Sequence, residues 1–318
     1  MNSCRAHVFL LSLMSFCCIS CTDTRTNSID IQNKDGAYII TIEGDLFTQY
    51  IHGEQKPFLY PVIGPTGINM TREFPMKKDI PGERQDHPWH SSVYYTHGSV
   101  NGLDFWNESD DEHKTARIEL IEVEEAQQIG SDKARIIATH KWTSSGKTLM
   151  TDRTELVFSA DVSKRIIDFK IDLIASEADV ALGDTKEGCM GIRMHYKFRV
   201  KDQGAQVINS EGDSGKSVWG KSAKWITYSN EVEGEKLGIS LLDHPDNFRY
   251  PTTWHARDYG LVAANAFGLK HFKPEEGISG DVTLKKGERL SFSYRLVFHK
   301  GGPQEIDTEQ LHQDWSRQ

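Results

Sequence analysis

The 318 residues include 37 Lys and Arg against 46 Asp and Glu, a formal net charge of −9. That balance argues against nucleic acid, which needs clustered Lys and Arg to displace counterions, and the chain has no run of four basic residues. Charged residues make up 26% and hydrophobic residues 37%, an ordinary globular composition.

In chain order, the first element is a leader. Val8–Ile19 is apolar but too short to cross a bilayer, and suits the core of a signal peptide. Cys18-Ile19-Ser20-Cys21 has the form of a lipobox, which makes Cys21 the expected lipidation site and residues 1–21 a lipoprotein signal peptide. Residues 22–33 are polar and are expected to be a flexible tether, with a single domain over 34–318. Four of the five cysteines lie at or before position 21, so the domain keeps only Cys189 and can form no internal disulfide. Between Gly188 and Met190, this thiol is expected to be buried and structural.

Strand-like runs follow: 37–44, 116–125, 134–142, 154–160, 165–175, 236–243 and 289–300. Most alternate apolar with polar residues, the period-2 mark of a strand with one buried face. The last, RLSFSYRLVFHK, puts Leu290, Phe292, Tyr294 and Leu296 towards a core. One helix is expected at the C-terminus, where Asp307 can cap a segment carrying Leu311 and Trp315 at helical spacing. The predicted fold is all-β: a large antiparallel β-sandwich of the supersandwich type with a short C-terminal helix.

Three stretches lack regular pattern and hold the reactive side chains, as long loops on a β scaffold often do. In the first, Asp86, His87 and His90 follow Arg72 and Arg84, so two titratable rings lie beside charges of both signs. Phe105 and Trp106 in the same stretch are expected to be core, after a tight turn at Asn101-Gly102. In the second, Glu187 precedes Arg193 and His195, which would share a face if 191–198 is a strand. In the third, His244, Asn247, Trp254 and His255 lie among prolines and glycines. An indole beside forked polar groups suits a sugar, whose C–H face stacks while its hydroxyls are read. No P-loop, dinucleotide fingerprint or nucleophile elbow is present.

These pieces resemble a bacterial family of exported proteins named PmoA-like, after a putative methane oxygenase. The resemblance lies in Arg72-Glu73-Phe74-Pro75, Asp86-His87-Pro88-Trp89-His90, Val100 to Trp106, Gly183 to Gly188, Gly191-Ile192-Arg193, and Asp243 to Asn247 through Trp254 and Tyr259-Gly260. Here Trp89 stands where the family pattern has a further histidine. A methane oxygenase subunit crosses the membrane several times, and this chain has no apolar stretch of about 20 residues, so the oxygenase label is not carried over as chemistry. More loosely, the family resembles galactose-mutarotase-like sandwiches. That likeness implies an Arg, paired His and a carboxylate on a concave sheet face, roles that Arg72, His87, His90, Glu187 and His195 could fill.

The expectation is therefore a lipid-anchored protein of the bacterial cell envelope that binds and transforms a carbohydrate or similar polar molecule. His87, His90, Glu187 and His195 are the candidate catalytic groups. Arg72, Asp86, Arg193, His244, Asn247, Trp254 and His255 are the candidate substrate contacts. No cofactor is required. Two alternatives stay open: a non-catalytic glycan binder, and a metal enzyme using His87, His90 and either His195 or Glu187.

Overall fold

All seven strands read from the sequence are present: Ala37–Ile42, Arg117–Ile129, Lys133–Ser144, Lys147–Ala160, Lys164–Ile174, Glu235–Asp243 and Arg289–Lys300. The computed structural model describes residues 28–107 and 116–318, together with Met1. The expected signal peptide beyond Met1, Cys21 and the first part of the expected tether lie outside the described residues. The rest of the tether is not loose. Ile29–Lys34 is a strand paired with Ala37–Ile42, because Ile29 is buried and Ile31 packs against the core.

The strands form two eight-stranded sheets. The first runs, in spatial order, Ile29–Lys34, Ala37–Ile42, Asp45–His52, Pro57–Val62, Val93–His97, Gly188–Arg193, Leu261–Asn265 and Thr253–Trp254. The second runs Gln206–Asn209, Trp225–Val232, Glu235–Asp243, Arg289–Lys300, Lys164–Ile174, Lys147–Ala160, Lys133–Ser144 and Arg117–Ile129. A two-stranded ribbon pairs Val180–Leu182 with Val282–Leu284. Every pairing is antiparallel. The hairpin between Lys133–Ser144 and Lys147–Ala160 turns on Ser145 (φ 50°) and Gly146 (φ 75°), the left-handed pair that a two-residue loop needs.

The sheets face each other across one core. Phe47 meets Phe158 edge-on at 6.1 Å, and Tyr95 stacks on Phe169 at 6.0 Å. Each such fully buried aromatic contributes about 1.5–3 kcal/mol over its exposed state. A buried polar network also bridges the sheets. His140 Nδ1 lies 2.8 Å from Asp152, its Nε2 lies 2.8 Å from the Tyr50 hydroxyl, and Trp142 Nε1 donates to the other Asp152 oxygen at 2.8 Å. Cys189 is buried, and burial pushes its thiol up to about 12, as a structural cysteine should be.

The C-terminal helix is Thr308–Trp315, capped by Asp307, whose side chain accepts from Gln310 N. Trp315 and Leu311 pack on Leu242 and Val297, covering part of the second sheet's outer face. The long connections instead gather on the outer face of the first sheet.

Candidate functional site

Three central strands of the first sheet, Val93–His97, Gly188–Arg193 and Leu261–Asn265, are buried throughout. Val93 and Tyr95 point into the sandwich, while Tyr94, Leu261 and Ala263 form a second cluster on the outer face with Trp106. Gly191 makes room there, since a Cβ would lie 3.0 Å from the Tyr94 ring. Phe105 and Trp106 are both buried, and Asn101 (φ 50°) and Gly102 (φ 78°) make the expected turn.

Arg72 lays the Asp86–His90 loop over this floor. Its guanidinium donates to the carbonyls of Asp86 (2.7 Å), His87 (2.7 Å) and His90 (3.3 Å). So engaged, Arg72 positions the loop rather than a ligand. The Asp86 carboxylate then accepts from Arg72 Nη1 and Arg193 Nη2, each at 3.0 Å, and His87 Nδ1 lies 3.3 Å from the same oxygen. The guanidiniums are 3% exposed, against 35% for the Asp86 side chain and 38% for that of His87. The mouth of the site is therefore at Asp86 and His87.

Four rings stack in a column. Tyr259 lies 5.5 Å from His87 (10° between planes), His87 lies 4.9 Å from His90 (4°), and His90 lies 6.3 Å from Tyr94 (16°). Half-buried Trp89 meets His87 edge-on at 5.3 Å. The Arg193 guanidinium sits 4.6 Å from the centre of the Tyr259 ring, and that of Arg257 sits 5.4 Å from it. Glu187 forms an ion pair with Lys186, and its charge helps to raise both Tyr94 and Tyr259.

Burial, followed by the charges of Arg193, His87 and Arg72, holds His90 well below the usual imidazole range. His90 is therefore neutral at pH 7. Burial alone would raise Asp86, but Arg193, His87 and Arg72 outweigh it and hold the carboxylate below its ordinary value. His255 borders the same face, buried between Trp219 and Phe272, and burial, then Arg257 and Lys186, brings it down to about 3. Beside it, Trp219, Tyr228, Ala256, Arg257 and Asp258 line a cleft of about 300 Å³.

The structure thus gathers Arg72, Asp86, His87, His90, Glu187, Arg193 and His255 on one face. It separates the others. The strand that carries Arg193 ends there, and His195 caps the turn Tyr196–Phe198 by accepting from Lys197 N at 3.3 Å. Trp254 has no exposed surface, and its Nε1 donates to Ala223 O at 2.9 Å, so it is core and not a stacking platform. Asn247 is buried against Asp243 and Ser293, with bonds of 2.7 Å to each. His244 meets Trp315 edge-on at 4.9 Å, beside the C-terminal helix. Tyr94 escaped the sequence reading, and Tyr259 and Arg257 had no role assigned, although the run Arg257-Asp258-Tyr259-Gly260 closely follows His255.

A metal held by His87 and His90 does not fit this geometry. Imidazole lone pairs lie in the ring plane, and two nearly parallel stacked rings cannot both aim at one ion at about 2.1 Å. No group of three or more His, Cys, Asp or Glu that could hold a metal ion occurs among the described residues.

Fold and site together define an antiparallel β-sandwich protein with a cationic, aromatic cluster on one outer sheet face. The chain belongs to a family of unknown function (DUF6807), matched over residues 38–316. The comparisons lend no support to the PmoA-like name. No curated protein matches the sequence. Among solved structures, a galactose mutarotase-like protein from Clostridium acetobutylicum is 10% identical, with a TM-score of 0.39 over 87% of this chain and 99% of that one. A glycoside hydrolase family 97 enzyme from Pseudoalteromonas sp. strain K8, in complex with panose, is 10% identical with a TM-score of 0.38. The match covers 85% of this chain but 35% of that one. A β-arabinopyranosidase is 8% identical with a TM-score of 0.35, covering 87% of this chain and 38% of that one.

Proposed function

We propose that this protein binds a carbohydrate on the outer face of its first sheet and acts on it by proton transfer. The convergence of Asp86, His87, Arg193, Tyr259 and Glu187 on that face carries the reading. In this reading His87 serves as the proton donor, since its imidazole is partly exposed while His90 and His255 are buried. Glu187, ion-paired with Lys186, is the base. Arg193 holds a ligand oxygen, and Trp89 or Trp219 offers an apolar ring. The leader and Cys21 support export and lipid anchoring in the bacterial envelope, where extracellular glycans are met.

A thermal-shift screen of mono- and oligosaccharides tests the binding half, because a ligand of the folded state raises the midpoint by mass action. Glu187→Gln and His87→Gln test the chemistry. Loss of turnover with sugar affinity retained is the expected result. Absence of turnover in the unaltered protein, with sugar binding intact, leaves a binding protein and refutes the enzyme.

A further inference from the structure

The outer-face cluster is unbalanced in charge. It brings together Arg72, Arg193, Arg257 and Lys186, with Lys56 over the Tyr94 ring, against Asp86 and Glu187 in contact and Glu83 acting on Arg72. Glu187 is matched by Lys186, and Asp86 alone serves both Arg72 and Arg193. Arg257 has no ion-pair partner among the described residues and approaches the same Tyr259 ring as Arg193.

The imbalance is sharpest at Arg193, which is 2% exposed. Its Nη2 is satisfied by Asp86, but its Nη1 has no hydrogen-bond partner. The Tyr94 hydroxyl, Trp106 Nε1 and His90 Nδ1, all in the same stacked cluster, are also buried and without partners. A buried guanidinium with an unused N–H edge is costly unless an anion completes it. An unused N–H of a buried guanidinium is what a bound carboxylate would satisfy through a charge-assisted bond. Burial, then repulsion from Arg193, lowers Arg72 to about 10, and burial lowers Arg193. Both shifts are in the direction that a nearby anion would reverse.

We propose that the carbohydrate of this site is acidic, a uronic acid residue whose carboxylate is received by Arg193 Nη1, with Arg257 adding attraction from the cleft side. The inference rests on the carbohydrate reading above and narrows it. Entry is by way of Asp86 and His87. Arg72 is held by the loop carbonyls through both Nη atoms, with its Nε buried and without a partner.

The test is calorimetric titration of the full chain with galacturonate and glucuronate, their methyl esters, the corresponding neutral hexoses and a sulfated hexose. Sodium acetate and sodium sulfate are run alongside, at about 50 and 500 mM salt. The uronate is expected to bind about tenfold or more tighter than its methyl ester, as a charge-assisted pair in a buried setting would give. That preference should shrink at the higher salt. Arg193→Gln should abolish it, so that the uronate binds no tighter than its methyl ester. Should Arg193→Gln fail to fold, Arg257→Gln, at a half-exposed position, is expected to cut the preference about threefold. Equal affinity for uronate, ester and neutral hexose overturns the acidic-ligand inference and leaves the carbohydrate reading standing. Preference for the sulfated sugar over the uronate overturns the carboxylate assignment. Response to acetate or sulfate with no sugar binding would mean an adventitious ion only, and would overturn both.

Discussion

Replacing Asp86 by Ala removes the one carboxylate between two guanidiniums that are each 3% exposed. Both ion pairs, at 3.0 Å, are lost together, and Arg72 and Arg193 then repel each other without a counter-charge. Breaking a buried pair by deleting one partner typically costs about 3–5 kcal/mol. Because the Asp86 side chain is itself 35% exposed, water replaces part of it, and the discounted cost is about 2–3 kcal/mol. For a domain of this size that is a fall in Tm of roughly 4–8 °C. Urea titration of both proteins measures the loss, with unchanged m showing that the unfolded state is unaltered. Combining Asp86→Ala with Arg193→Met should cost less than the sum of the two by about 1 kcal/mol or more, since the second change removes the charge that the first stranded. Formate at about 0.1 M or above should restore part of the loss in the single variant by occupying the vacated anion position. A cost below about 0.5 kcal/mol, with no coupling and no formate response, would refute the reasoning that Asp86 neutralises the pair.

Asp152→Ala leaves Trp142 Nε1, Thr154 Oγ1 and His140 Nδ1 without their buried partner, and unfolding titrations should show a loss of about 3–5 kcal/mol with ligand affinity unchanged. Trp254→Phe should lower stability by about 1 kcal/mol and leave sugar affinity within about twofold; a large affinity loss at constant Tm would return Trp254 to the site. Burial lowers His52, His97, His195 and His299 to about 4 and His255 to about 3. Above the ordinary value of about 6.5 both folded and unfolded states are neutral, and below it the unfolded chain takes up protons first. Stability should therefore fall as pH drops from about 6.5 to about 4. Asp243, pushed up to about 7 by burial, acts in the opposite sense: its native-state proton stabilises at low pH, and that contribution is lost as pH rises towards 7. Asp243→Asn should accordingly steepen the acid-side fall in denaturation curves taken across this range. Cys189, buried with its thiol up at about 12, should resist thiol reagents in the native protein and react once urea unfolds it.

The strands that sequence made legible are those with unlike faces. RLSFSYRLVFHK alternates because Phe292, Tyr294 and Leu296 enter the core while most of the residues between them are only half-buried. VYYTH, GCMGIR and LVAAN are covered on both faces, so their sequences carry no alternation and read as loop. The site is built on these three strands. What hid them is the layer of aromatic rings and loops that makes the outer face a site at all. The same cover explains the misplaced residues. His195 is two positions from Arg193 and would share its face in a continuous strand. Instead the sheet pairing stops: Met194 N bonds Gly260 O and His195 N bonds Met70 O, which turns the chain away. Trp254 has the polar neighbours of a sugar platform, but its indole N–H finds a backbone carbonyl inside the fold, which sequence does not show.

Arg72 and Arg193 were both legible as candidate ligand contacts, and the structure divides their labour. The partners of Arg72 are backbone carbonyls 14 to 18 residues away, and the Asp86 that Arg193 shares with it is 107 residues distant from Arg193. No local pattern encodes which of two cations will have both of its Nη atoms engaged by the fold. Stability alone gives little reason for the second one to remain charged, because an apolar side chain of similar volume commonly packs as well as a buried ion pair or better. Arg72 repays its desolvation by fixing the loop at three carbonyls. Arg193 fixes less, leaves its Nη1 unmatched, and lies against the Tyr259 ring that Arg257 and His87 also approach. A charge that the fold leaves incompletely neutralised, held rigidly beneath a partly open mouth, is the arrangement expected where the missing counter-charge belongs to a ligand.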